Sequence, residues 1–445
     1  MSLQFITGGS GAGKSEYLSR LVCEESVRRP HDNFIVVVPE QYTMETQKKL
    51  VHMHSRKGIL NIDVVSFERL AYKVFEELGG GNRPVLDDTG KNLIVRRVLE
   101  KEKKKLDYFG SSIEKTGFVS ELKSVISELL QYGITPQQLG EIGENVKEKQ
   151  QLSAKLKDIR LVYKEFMAFL STNYITSEEI LDVLCGLVEK SKLIAGSEII
   201  FDGFTGFTPI QYKLMRLLLV YSKGIKISVT IDKKERPTGH ESWNNLFFMS
   251  KEMMNRLIAI CEEEGINVDD TVCVDRDINY RYEGAKDLAY LERNLFRYKG
   301  GVYTGTPENI RIYEGSNPKE ELQYIVSEIL QLTRKEGFRY RDIAVVTADL
   351  ETYGKVAANM MKQNDIPAFL DYKRSVAANP YVEMLCSALE IVEKGYPYDT
   401  MFRYLRTGLT GISRHDIDML ENYCLAVGIR GSRAWHEPWK KKMKR

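Results

Sequence analysis

The chain lacks most of the features that would fix its class at once. No apolar run approaches the ~18 residues of a membrane span, so no membrane partner is expected. An excess of one charge is missing too: 64 Lys and Arg against 62 Asp and Glu leave a formal net charge of +2. Any nucleic-acid surface must therefore be a local patch on a nearly neutral body. The six cysteines (Cys23, Cys185, Cys261, Cys273, Cys386 and Cys424) are scattered, with no C-x-x-C pair and no histidine at zinc-ligand spacing. That pattern fits buried or idle thiols in a reducing compartment rather than a disulfide framework. No charged leader precedes the first apolar run, so a cytoplasmic location is expected. Low complexity is confined to the basic end, Lys440 to Arg445.

What is present is concentrated near the N-terminus. Gly8-Gly9-Ser10-Gly11-Ala12-Gly13-Lys14-Ser15 fits G-x-x-x-x-G-K-[ST]. An apolar run from Leu3 to Ile6 precedes it, and Leu18, Leu21 and Val22 follow at helical spacing. Glycines let the backbone turn several N–H groups onto phosphate oxygens, and the positive end of the helix adds field. Lys14 is placed to contact the β- and γ-phosphates of ATP, and the Ser15 hydroxyl to ligate Mg²⁺. A glycine-rich turn matches the pattern by chance in on the order of one per cent of chains this long. ATP with Mg²⁺ is the expected cofactor pair.

With 445 residues, 43% of them hydrophobic, the chain has room for roughly two to four domains. Phe34 to Val38 reads as a parallel strand covered on both faces, and Thr43 can cap the helix after the Pro39 turn. Ile62 to Val65 is a third strand, and Ser66 caps the helix carrying Phe67, Leu70, Ala71, Val74 and Phe75. Strands that alternate with helices imply a doubly wound sheet, whose ligands bind beyond the carboxyl ends of the strands. Gln41, Thr43, Phe67 and Arg69 then share a rim with the phosphate loop. From about Gly79 the pattern turns helical and charged, and the run Lys101 to Lys105 reads as a solvated helix end. The sheet resumes at Glu198 to Phe201 and ends in Asp202, where a phosphate-loop ATPase keeps its Mg²⁺-organising acid. Thr208 and Pro209 open a helix, and Lys226 to Ile231 is the next strand. Ile310 to Tyr313, Ile343 to Val346 and Ala368 to Leu370 begin a second α/β alternation. The expected division is 1–80 plus 195–300 for a first domain, 81–194 for a helical insertion, and 301–445 for an incomplete second domain. The chain reads as the front part of a longer one.

Two RecA-like P-loop NTPase domains, α/β in class and carrying an inserted helical subdomain, resemble the paired motor domains of superfamily 1 helicases. The ordered set of Gly8 to Ser15, Val38 to Thr43, Ser66 to Leu70, Phe201 to Phe204, Leu291 to Phe296 and Asp342 to Val346 resembles more closely the AddB family of bacterial AddAB helicase–nucleases. The resemblance runs over nearly the whole chain. It implies a subunit that pairs with an AddA-like motor, binds single-stranded and duplex DNA, and inspects the strand for a recombination hotspot during double-strand break repair. It implies DNA contacts at Gln41, Thr43, Phe67 and Arg69, since amides read base edges, a ring stacks on a base and an arginine takes phosphate or guanine; the residues alone also allow Phe67 in the core and Arg69 as a solvated helix residue. The nuclease domain and an iron–sulfur cluster belong to the C-terminal part of the family, so no nuclease activity is expected of these residues.

Departures from an active helicase carry equal weight. Helicases of this class place a glutamate after the strand-end aspartate, but Gly203 follows Asp202. No γ-phosphate-sensing glutamine follows Asp232, and Leu291-Glu292-Arg293-Asn294-Leu295-Phe296 stands where Leu-x-x-Asn-Tyr-Arg is expected, with Arg297 one place late. Each such group is worth about 10² to 10⁵ in rate. ATP binding with little hydrolysis is expected, and no catalytic residue is assigned. Two other readings use the same loop. An active DNA-stimulated translocating ATPase needs a carboxylate after Asp202, and a small-molecule phosphoryl transferase needs only one compact α/β domain.

Overall fold

Parallel strands covered by helices on both faces must be apolar on both faces, and the strands of this chain are short runs of that kind. The computed structural model describes residues 1–79, 84–113, 115, 117–146, 149–176, 178–235, 242–297, 300–370, 376 and 378–439. The basic end, Lys440 to Arg445, lies outside them. In chain order, β1 (Ser2–Gly8) leads into α1 (Lys14–Arg28), β2 (Asn33–Val37) into α2 (Thr43–Met53), and β3 (Ile62–Val65) into α3 (Phe67–Leu78). An insertion follows: β4 (Val85–Leu86), α4 (Asp88–Glu102), α5 (Phe118–Gln131), α6 (Pro136–Asn145), α7 (Gln150–Asn173) and β5 (Ile175–Thr176). Short helices α8 (Ile180–Cys185) and α9 (Lys192–Ala195) return the chain to β6 (Ser197–Phe201), α10 (Pro209–Tyr221), β7 (Gly224–Thr230) and α11 (Phe248–Glu264). Two further short strands, β8 (Asn267–Val268) and β9 (Val272–Cys273), precede α12 (Lys286–Asn294).

The main sheet runs β3-β2-β6-β7-β1-β8, with β9 also paired to β1. Its pairings are parallel. Alternate residues of each strand feed opposite cores, as the period of two requires. Leu3, Phe5, Ile35, Val37, Ile199 and Phe201 join one cluster, while Ile6, Phe34, Val36 and Ile200 join the other with Leu18 and Val22 of α1. Because β7 separates β1 from β6, the loop after β1 and Asp202 after β6 sit on one rim, one strand apart. The class is the expected α/β, RecA-like and helicase-type.

The insertion has its own core, in which Val95 and Leu99 of α4, Ile126 of α5 and Val162 and Phe166 of α7 are buried together. α8 belongs instead to the sheet, since Ile180, Leu181 and Leu184 pack in the first cluster. In the basic run, Lys101 pairs with Glu165 at 2.9 Å and Lys105 with Glu102 at 2.6 Å, as a solvated helix end does.

Tertiary contacts divide the chain into two units, Met1–Ile310 and Arg311–Arg445. The second holds α13 (Pro318–Lys335), α14 (Leu350–Gln363), α15 (Pro380–Glu393), α16 (Tyr398–Leu405), α17 (Arg414–Val427) and α18 (Gly431–His436). Val326 and Ile329 of α13 pack with Met361 of α14. The three segments expected as strands here form no ladder among the described residues. Ile312, Val346 and Phe369 are 95%, 91% and 90% exposed. An apolar run becomes a strand only when a neighbour takes its N–H and C=O groups, and these three do not take one another's.

Candidate functional site

At the carboxyl end of β1 the chain makes a tight loop that opens α1. Gly11 has φ +71° and Gly13 φ +94°, in the left-handed region that a Cβ disfavours. A Cβ on Gly11 would also lie 2.5 Å from Cβ of Arg281. The loop closes on itself through Ala12 N–H donating to Gly9 O at 3.3 Å, and Tyr17 N–H starts the helix ladder on Gly13 O at 2.8 Å. Lys14 is folded back, its Nζ donating to Gly8 O and Gly9 O at 2.9 Å each. Burial pushes its ammonium below the ordinary value, while the nearby carboxylates of Asp202, Asp275 and Glu292 pull it back up. Ser15 stands exposed at the start of α1.

Across the rim, Asp202 accepts the Ser228 hydroxyl at 2.6 Å from β7. Magnesium bound with a nucleotide keeps several waters and takes one or two protein oxygens beside the phosphates. A hydroxyl at Ser15 and a carboxylate at Asp202 fit that number and kind. No group of three or more His, Cys, Asp or Glu among the described residues could hold a metal by itself. The carboxylate absent after Asp202 has a backbone reason. Gly203 has φ +83°, in the left-handed region, so a glutamate there would be strained.

A strap from the far end of the first unit lies over the loop. Asn279 Nδ2 donates to Ser10 O at 3.3 Å, Tyr282 Oη to Ser10 Oγ at 3.5 Å, and Arg281 N–H to Gly11 O at 3.3 Å. From α12, Glu292 Oε1 accepts Ser10 N–H at 3.2 Å. Beside it a cavity of about 480 Å³ is lined by residues that include Ser10, Thr205, Phe247, Met249, Leu291 and Phe296. Phe296 holds φ +59°, an unusual conformation for a bulky side chain. Arg297 does not reach the loop: it pairs with Asp232 at 3.0 Å and Glu235 at 3.2 Å and lies over the Phe247 ring at 4.8 Å. Asn279, Arg281, Tyr282 and Glu292 were not expected at the loop. Glu292 alone had a sequence signal, the run Leu291 to Phe296, and Asn279, Arg281 and Tyr282 had none.

The four expected DNA contacts divide in two. Gln41 is exposed, and Arg69 is exposed with its guanidinium on Glu40 at 2.8 Å. Phe67 is 7% exposed, its ring 5.7 Å from Phe201, 5.4 Å from Phe204 and 6.1 Å from Phe207. With those neighbours on it, the ring offers no open face to a base, and the stacking expectation is corrected. Thr43 is 5% exposed and its hydroxyl donates to Glu40 O at 2.9 Å. It closes the turn before α2 rather than facing a strand. Ser66 caps α3 as expected, accepting Arg69 N–H at 3.3 Å.

Comparison with known proteins adds the family. A family model described as "ADDB, N-terminal" matches residues 5–292. The chain is 42% identical to the B subunit of the ATP-dependent helicase/deoxyribonuclease of Lachnoclostridium phytofermentans, over 100% of this chain and 39% of that protein. Proteins of the same name are 37% identical in Caldanaerobacter subterraneus, over 99% of this chain and 37% of theirs, and 37% in Clostridioides difficile, over 99% and 38%. The chain thus spans a little under two fifths of the length of these relatives.

Proposed function

The chain belongs to the ADDB N-terminal family, and from that premise we propose that it is the nucleotide- and DNA-binding front part of the B subunit of an ATP-dependent helicase/deoxyribonuclease. In this reading it works beside an AddA-like subunit in the cytoplasm, on single-stranded and duplex DNA at broken ends. It holds and inspects the strand for a recombination hotspot and is not itself the motor. Nuclease activity and any iron–sulfur cluster belong to the remainder of the longer protein.

The observation that carries the reading is the phosphate loop with Gly203 behind Asp202. Gly8 to Ser15 offer backbone N–H groups, the Lys14 ammonium and the helix end to an ATP polyphosphate. Ser15 and Asp202 would hold Mg²⁺, which supplies charge neutralisation at the β- and γ-phosphates. The apolar wall of the neighbouring cavity, with Phe247 and Leu291, is suited to a flat base. Nothing at Gly203 orients an attacking water. Gln41 and Arg69 are the exposed polar groups on the rim that remain for DNA, as donors to phosphate or base edge.

The test is equilibrium binding of a fluorescent ATP analogue with Mg²⁺, with Lys14→Ala as control. Saturable binding by the native chain is expected, with a loss of at least about tenfold in the variant, the scale of a charge-assisted phosphate contact. Equal binding by both would mean that the loop does not hold the nucleotide.

A further inference from the structure

The phosphate loop is already occupied by an anion of the chain's own. Ser10 N–H, one of the groups such a loop turns toward phosphate, donates to Glu292 Oε1 at 3.2 Å. The same oxygen lies 3.0 Å from where a Cβ on Gly9 would be, so the carboxylate is set into the glycine surface of the loop. It arrives from α12, 282 positions away in sequence, and α12 is itself fixed. Asp287 in its first turn accepts Asn309 N–H at 2.7 Å, Asn309 Nδ2 at 2.8 Å and Glu308 N–H at 2.9 Å. Asn279, Arg281 and Tyr282 hold the loop from the same side.

Building on the nucleotide-binding reading, we propose that Glu292 is a gate: its carboxylate stands in for a phosphate in the nucleotide-free chain and must leave the loop when a nucleoside triphosphate enters. A carboxylate and a phosphate compete for the same N–H donors and the same positive helix end. They cannot share the loop, because like charges a few ångströms apart in a partly buried site repel strongly. The surroundings make the carboxylate a displaceable occupant. Burial pushes it above its usual range and Asp275 and Asp232 add to that, with the Ser10 N–H the main group opposing them. Once that N–H and the Lys14 ammonium turn to a phosphate, Arg293 still favours the charge, but against burial and the two aspartates. The gate weakens nucleotide binding by the free energy of expelling Glu292, and it ties loop occupancy to the position of α12.

The test is titration of a fluorescent ATP analogue with Mg²⁺ into the native chain, Glu292→Gln and Lys14→Ala, with thermal melting to confirm that each is folded. Glutamine keeps an acceptor oxygen for Ser10 N–H and removes the charge. The gate predicts binding at least about threefold tighter in Glu292→Gln, a modest share of a partly screened charge repulsion. Loss of a merely structural contact does not tighten a ligand. Unchanged or weaker binding in Glu292→Gln, with native binding that Lys14→Ala removes, overturns the gate and leaves the nucleotide reading intact. Binding seen only in Glu292→Gln supports both. No binding by either overturns both.

Discussion

Asp287 shows how one side chain can set a site it does not touch. Besides the three bonds from Glu308 and Asn309 it accepts Leu288 N–H at 2.9 Å, and the Asn309 N–H is the foremost cause that holds its carboxyl down at about 2. The Asn309 side-chain amide and the Leu288 and Glu308 N–H groups add to that, while burial works against it. A free aspartate titrates near ~3.9. The folded value is the lower one, so the stabilisation is fully present above about pH 4 and is lost as the pH falls toward about 2. Asp287→Asn should therefore unfold at lower urea than the native chain at pH 7, with the difference in midpoint shrinking as the pH approaches 2. A difference that stays constant across that range would mean that the charge of Asp287 does not anchor α12.

At the scale of elements, the starts of α2 and α3 form the rim where DNA would run, and their residues have opposite expected behaviours. Phe67→Ala removes a ring from the Phe201, Phe204 and Phe207 cluster and should cost about 3–5 kcal/mol of stability. Arg69→Ala breaks only an exposed pair with Glu40, worth about 1 kcal/mol or less. Combined with Gln41→Ala it should leave the urea midpoint nearly unchanged and weaken binding of a labelled single strand about threefold to tenfold. Unchanged affinity would move the strand off this rim. The sequence made the loop and sheet legible because their signals are local. Glycines mark positive φ, Lys14 and Ser15 mark the helix start, and continuous apolar runs mark buried parallel strands. For Phe67 the sequence left core packing and base stacking both open, because its burial depends on rings that reach it from the end of β6 and just after it. Glu292 was not legible as a loop contact, since its partner Ser10 lies at the other end of the unit. Ile312 and Val346 lie in runs that look like strands, but a local pattern does not supply the neighbouring strand that a ladder needs.

For the molecule as a whole, the residues of the candidate site fall within one of the two units. The unit Met1–Ile310 holds the loop, Asp202 and the strap, so the proposed nucleotide site lies within it. That unit is expected to hold a nucleotide and turn it over little, because Gly203 stands where a water-orienting carboxylate is required and Arg297 is committed to Asp232 and Glu235. The most direct test is ATP hydrolysis by the purified chain, measured with and without single-stranded DNA and compared with Lys14→Ala. Turnover within about tenfold of the Lys14→Ala background, unmoved by DNA, is the predicted result, since each missing group is worth about 10² or more. Robust turnover that DNA stimulates and Lys14→Ala abolishes would contradict this and make the chain an active motor.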